Sequence, residues 1–208
     1  LLLTDGFDAV PVVGTQARPE DHIVDPFYGG QRFLVPPALT EGVPERVDSE
    51  GNVLQELDEE TVRKAVRTLR GEGVESIAVC YLFSFQNPAH ERRTRELVAE
   101  EYPECDVSLS STVIPQIREF PRLSTTAVDA YVGPALGTYL RDLRGELSAA
   151  GVTDAQVSFM LSHGGLVPFE TAADQGCRSL LSGPAAGVQA GAFFGDRVGV
   201  SDLVTMDM

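Results

Sequence analysis

The 208-residue chain has no tryptophan, a single lysine (Lys64), three cysteines and only 7% aromatic residues. With so few rings, its core must rest on Val, Leu, Ile and Ala. No apolar run approaches the roughly 20 residues that span a bilayer. No basic flank precedes an apolar stretch, as a signal peptide would require. Cys80, Cys105 and Cys177 are odd in number and far apart, without the CxxC or Cys/His spacing of a zinc site. This usage predicts a reduced, cytoplasmic protein. Cys80, inside "IAVCYLF", reads as a buried thiol, and Cys177 has no histidine near it in sequence to act as its base. Positive charge is also scarce. The net charge of −15 excludes the basic surface of a nucleic-acid binder. All basic residues but Lys64 are arginine, which suits a high-salt cytoplasm and equally a high-GC genome. "LLLTDGF" opens without an initiator Met and "DLVTMDM" closes the chain, so both ends read as interior strands of a longer protein.

What is present is 43% hydrophobic, enough for one or two packed domains. "LLLT" reads as a buried strand running into the turn "DG". Pro11 argues against an undisturbed helix after it, and residues 18–45 read as a surface loop. "PERVDSEGNVLQEL" reads as a hairpin. Then helix and strand alternate. "DEETVRKAVRTLRGEG" is a helix with Asp58 as N-cap and positions 62, 66 and 69 on one face. "VESIAVCYLFSF" is a buried strand, "NPAHERRTRELVAEEY" a helix capped by Asn87, and "DVSLSS" a further strand. This order predicts an α/β layer with parallel strands. A long helix follows, opened by Ser124 or Thr125 and bent near Gly133-Pro134; "AQVSFML" and "SDLVTMDM" read as later strands.

Two segments share one form, an apolar strand ending in small polar residues and glycine: "FMLSHGG" (159–165) and "SLLSGPAAG" (179–187). Ligands of open α/β sheets bind beyond the carboxyl ends of strands, where helix N-termini favour anions such as phosphate. Ser162, Gly164, Gly165, Ser182 and Gly183 are therefore candidate cofactor contacts, with Ser182 as the helix cap. Gly183, Gly187 and Gly191, four apart, equally suit close helix packing. His163 is the histidine best placed for acid–base chemistry. His90, in a charged helix, reads as solvated, and His22 carries no assignment. Arg118, Glu119 and Arg122 form either a clamp for a substrate carboxylate or phosphate, or a surface ion-pair cluster. Asp207, ending an apolar stretch, is a candidate for holding a metal-bound water.

In this order, "LLTDGF", "ERVDSEGNVLQELDEE", "GVESIAVCYLFSFQNPAHERR", "VSLSSTVIPQIREFPRLSTTAVDAYVGP", "SHGGL" and "LLSGPAAGVQAG" resemble the hydantoinase A / 5-oxoprolinase family over nearly the whole chain. The resemblance implies an actin-like ATPase fold with two ribonuclease-H-like halves and ATP between them. Residues 1–122 would belong to the first half and 123–208 to the start of the second. In this family each half carries a phosphate loop of the form D-x-G-G-T-x-x-D. The first would lie upstream of Leu1, and Asp207 resembles the leading Asp of the second, reaching Mg through water. His163 replaces the family's usual Asn or Ser. The family uses ATP and Mg to open cyclic amides such as 5-oxoproline or N-methylhydantoin, usually with a hydantoinase B-type large subunit or domain. Related members carboxylate acetone or acetophenone, and a non-catalytic actin-like nucleotide-binding module is a third alternative. No membrane or nucleic-acid partner is implied.

Overall fold

The computed structural model describes residues 1–14, 18–29, 32–152, 157–173 and 176–207. The chain divides into two compact units, Leu1–Tyr131 and Val132–Met208.

The first unit runs β1 (Leu2–Thr4), α1 (Val10–Val13), β2 (Glu41–Val43), β3 (Arg46–Val47), β4 (Val53–Gln55), α2 (Glu59–Gly71), β5 (Ser76–Cys80), α3 (Ala89–Glu101), β6 (Asp106–Leu109), α4 (Ser110–Val113) and the first turns of α5 (Glu119–Ala149). Its sheet has the order β2-β1-β5-β6, and every pairing is parallel. Parallel neighbours need long crossovers, which is why α2 and α3 alternate with strands. Side chains alternate across a strand, so β1 and β5 feed two cores. Leu2, Ile77 and Val79 pack with Val62, Val66, Leu69, Leu97 and Val98 of α2 and α3. Leu1, Leu3, Ala78 and Cys80 pack with Leu123 and Ala130 of α5 on the other face. Burying both faces explains why β5 reads as one continuous apolar run.

On α2, Val62, Ala65, Val66 and Leu69 are buried at helical spacing. Asp58 caps the helix, accepting from Thr61 N at 3.1 Å. The outer flank carries Arg63 and Arg67, which bond Glu101 at the end of α3. These bonds, Arg67's first, hold the Glu101 carboxyl down from its ordinary 4.5 to about 2.

Several elements differ from the sequence expectation. Within the supposed loop 18–45, Glu41–Val43 form β2, because the edge of β1 offers them a parallel partner. Asn87 does not occupy the cap position of α3. Pro88 does, while Asn87 Oδ1 accepts from Ala89 N and its amide donates to Gly51 O at 2.9 Å. The long helix begins at Glu119, before Ser124 and Thr125, whose hydroxyls bond back to the Phe120 and Pro121 carbonyls. Pro134 lies inside it.

The second unit contains the rest of α5, the antiparallel pair β7 (Ser158–Met160) and β8 (Leu166–Pro168), α6 (Phe169–Ala173) and α7 (Ser182–Val198). Leu140, Phe169 and Ala172 form its core, with Leu136, Leu143 and Phe159 packed around them. Of "AQVSFML", Ser158–Met160 form strand, and Ala155 and Gln156 lie outside the described residues. Residues 201–207 form no strand, contrary to expectation. They follow the left-handed Gly199 that ends α7 and turn back along that helix. Among the described residues no helix is long and apolar enough to cross a membrane.

Leu69→Ala should destabilise the protein by about 2–5 kcal/mol in denaturant unfolding, as buried Leu→Ala changes do. The exposed Leu54→Ala should stay within about 0.5 kcal/mol. The Glu101 clasp has a pH signature. Its folded pKa is depressed, so its contribution is complete above about pH 4.5 and is lost as pH falls toward about 2. The difference in melting temperature between wild type and Glu101→Gln should shrink across that interval, and a constant difference would contradict the clasp.

Candidate functional site

Two clusters of polar side chains form, one in each unit. In the first, the carboxyl ends of the parallel strands gather Thr4, Glu45, Tyr81, Leu82 and Ser110, and the first turn of α3 adds His90 and Glu91. The Glu91 carboxylate is fully buried. It accepts from Tyr81 N at 3.0 Å, Ser110 Oγ at 2.6 Å and Ser111 N at 2.8 Å. The Thr4 hydroxyl donates to the buried Glu45 carboxylate and accepts from Leu82 N at 2.9 Å. His90 Nδ1 lies 2.8 Å from the other Glu45 oxygen, so with Glu45 ionised this nitrogen carries the proton. His90 Nε2 is buried without a hydrogen-bond partner, and the nearest carboxylate, exposed Glu56, stands 3.9 Å away. His90 is therefore not solvated: apolar Leu97 and Val98 share its helix, and the carboxylate that lets it enter the interior comes from Glu45, 45 positions away.

Arg122, in the first turns of α5, is 2% exposed. One of its Nη atoms donates to the Tyr81 carbonyl, the guanidinium lies 5.2 Å from the Phe85 ring centre, and Nε has no partner. Arg118 does not join it. Arg118 is exposed and adopts φ +79°, a left-handed conformation costly for a side-chain-bearing residue. Among the described residues Arg118, Glu119 and Arg122 form no ion pair, and the two arginines are not side by side as a clamp would need: one is exposed and the other buried. Arg122 and the exposed Glu119 instead line one small recess, with Leu3, Phe7 and Leu82 among its apolar walls. Phe83, in the turn after β5, also has positive φ (51°), so strain borders the cluster from two sides. Cys80 lines the recess too, but burial pushes its thiol up, with the Arg122 guanidinium opposing, so it is not a poised thiolate.

In the second unit the two glycine-bearing segments do come together. Ser162 N and Oγ both donate to the Arg178 carbonyl at 2.6 Å, and the same hydroxyl accepts from Leu181 N at 3.2 Å. Ser182 is not the cap of α7. Leu181 occupies that position without a side-chain bond, and Ser182 is the first helical residue. Ser162, brought in from the β7–β8 turn, satisfies the amide just before the helix. Gly164 sits at φ +84°, where a Cβ would press on Gln189. His163 is exposed and accepts from Gly165 N at 3.1 Å through Nδ1. The glycine stripe also divides differently from expectation. Gly183 and Gly187 face open space, whereas a Cβ on Gly191 would meet Thr205 at 2.6 Å and one on Gly195 would overlap Leu203. Close packing belongs to Gly191 and Gly195, and what it packs is the returning segment 201–207. Asp207 is exposed, and no three His, Cys, Asp or Glu side chains among the described residues could hold a metal together.

Two family models match this chain: the hydantoinase/oxoprolinase N-terminal region over residues 1–102 and hydantoinase/oxoprolinase over residues 122–208. The chain belongs to the hydantoinase/oxoprolinase family. It is 31% identical over its whole length to the caprolactamase alpha subunit of Pseudomonas jessenii, covering 30% of that protein. The crystal structure of that ATP-dependent caprolactamase superposes with a TM-score of 0.85, covering all of this chain and 30% of the other at 30% identity. The acetophenone carboxylase gamma subunit of Aromatoleum aromaticum is 36% identical, again over the whole chain and 30% of its own length. The 5-oxoprolinase of Saccharomyces cerevisiae is 36% identical over 88% of this chain and 14% of its own. The chain thus spans less than a third of the length of these relatives. The likeness agrees with the α/β, actin-like fold expected from the sequence.

Ser162→Ala should cost about 0.5–1.5 kcal/mol, the net contribution of hydrogen bonds that are only partly buried, and hydrogen exchange at Leu181 should accelerate. Gly195→Ala should lower the melting temperature, while Gly183→Ala should raise stability by up to about 1 kcal/mol through helix propensity alone. Equal effects at the two positions would contradict the divided stripe.

Proposed function

We propose that this chain is part of the ATP-using subunit of an enzyme that couples ATP hydrolysis to the opening of a cyclic amide. The observation that carries the reading is whole-chain similarity to the alpha subunit of an ATP-dependent caprolactamase, in sequence and in backbone. The similarity to 5-oxoprolinase, named for another ring amide, supports it further. A ketone carboxylase is the second reading, because the acetophenone carboxylase gamma subunit matches equally fully. In both readings the relatives' names as subunits support a partner subunit, for which the family resemblance suggests a hydantoinase B-type subunit or domain, and the cytoplasm remains the expected compartment.

On the nucleotide side, the uncapped N-terminus of α7, with open space at Gly183, offers backbone donors suited to a phosphate. Ser162 fixes the segment entering that helix, and Gly164 shapes the neighbouring turn. His163, beside them and exposed, is free through Nε2 to exchange a proton with a bound ligand. ATP, when bound, supplies the phosphoryl group that turns a poor amide oxygen into a reactive one. For Mg the residues here do not suffice: among the described residues Asp207 belongs to no group of three or more His, Cys, Asp or Glu, so no step is assigned to the ion in this chain.

The test is an ATP hydrolysis screen of the full-length protein with its partner subunit, offering 5-oxoproline, hydantoins, lactams, and ketones with bicarbonate. Stimulation at least tenfold by a ring amide, and none by ketones, is expected. Stimulation by a ketone with bicarbonate alone would move the assignment to the carboxylases.

A further inference from the structure

We propose that His90 and Glu56 form a proton-operated latch, open while His90 Nε2 is bare and closed when that nitrogen gains a proton, which clamps the exit of the β3–β4 hairpin onto the first turn of α3. The device lies within the first unit and does not depend on the ring-amide reading above. Its starting point is a histidine held between two carboxylates of opposite accessibility. The buried Glu45 carboxylate meets Nδ1 at 2.8 Å, while Glu56, whose side chain is 92% exposed, stands 3.9 Å from Nε2. That separation is too long for a hydrogen bond and short enough for the charge to be felt. Nε2 itself is shut off from water and has no hydrogen-bond partner among the described residues.

The two protonation states of the ring make different demands on this site. With Nδ1–H given to Glu45, a neutral ring leaves only a lone pair at Nε2, and nothing needs to approach it. A second proton turns Nε2 into a buried, charged donor, which costs free energy until an acceptor reaches it. Glu56 supplies that acceptor by closing about 1 Å, within reach of a rotamer change in an exposed side chain. The other charged and titratable groups on the surrounding elements are already engaged. On α3 itself, Tyr81 N, Ser110 and Ser111 hold the Glu91 carboxylate, and Arg93 pairs with Glu59 and Glu96. After β5 the Tyr81 hydroxyl bonds Thr94, before α2 Asp58 caps Thr61, and on β3 Arg46 lies over the Phe7 ring.

Glu45 and Glu56 flank the hairpin, so closure would complete a line of ties between it and α3. Glu45 to His90 holds the entry, Gly51 O to the Asn87 amide holds the tip at 2.9 Å, and Glu56 to His90 would hold the exit. A proton that creates a bond is held more tightly in the closed form. The latch therefore contributes below the range in which His90 titrates and is lost as pH rises through that range.

The test is hydrogen–deuterium exchange of the full-length protein, read in peptides spanning residues 46–57 at about pH 5.5 and about pH 8.5, either side of ordinary imidazole titration. Rates are corrected for the intrinsic pH dependence of exchange. Wild type and Glu56→Gln, an exposed change, are compared at each pH. At the lower pH wild type should be protected about threefold more than the variant, and at the higher pH the two should coincide. His90→Asn, whose amide keeps a donor for Glu45, should remove the effect of Glu56→Gln at both pH values. If His90→Asn does not fold, the first comparison decides alone. Coincidence of wild type and Glu56→Gln at both pH values overturns the latch. So does an equal difference at both, which would mark a contact indifferent to the proton, and so does a difference that survives His90→Asn.

Discussion

The backbone around Tyr81 is gripped from two directions, and much of the first unit is arranged to make that possible. Glu91 of α3 takes the Tyr81 N–H, and Arg122 of α5 takes its carbonyl. Both side chains are withdrawn from water, so neither bond competes with solvent, and loss of either would leave a charge in the interior. Because β5 ends at Cys80, these bonds fix where the central strand stops and where the turn through Phe83 begins. They also tie the helices on opposite faces of the sheet to one point, and the ends of β1 and β6, paired with β5 up to Leu3↔Cys80 and Val79↔Leu109, bring Thr4 and Ser110 beside it.

The layered architecture was legible because it rests on short-range pattern. The apolar run of β5, the helical spacing on α2 and the Asp58 cap each follow from residues within a few positions of one another. The polar cluster was not legible, for the opposite reason. Glu45 sits between Pro44 and Arg46 in what reads as a polar connection, and nothing there announces that it will be buried against His90 and Thr4. The only signal was the "NPAHE" motif as a unit, in which a histidine and a glutamate open a helix. Of the candidate trio, Glu119 and Arg122 line one recess and Arg118 does not, a distinction set by backbone conformation rather than residue type.

The α7 segment shows a similar limit. Capping rules look to the nearest hydroxyl in sequence, which is Ser182, but the hydroxyl that reaches the amide before the helix belongs to Ser162, across a strand pair. The spacing of Gly183, Gly187 and Gly191 suggests a face for close helix packing, yet of the three only Gly191 is covered, by the Thr205 side chain. It does not reveal that Gly195 extends the series, or that the approaching segment is the chain's own continuation after Gly199.

That continuation has a consequence for biosynthesis. Leu203 and Thr205, which cover Gly195 and Gly191, follow the end of α7 by only a few residues, and a short glycine-rich helix is marginal in water by itself. The C-terminal half of α7 can gain its tertiary partner only after Leu203 and Thr205 have been synthesised and the chain has reversed at Gly199. Helix and cover are thus neighbours in sequence as well as in space, so the C-terminal half of α7 and residues 201–207 emerge together and can close on each other as one local unit.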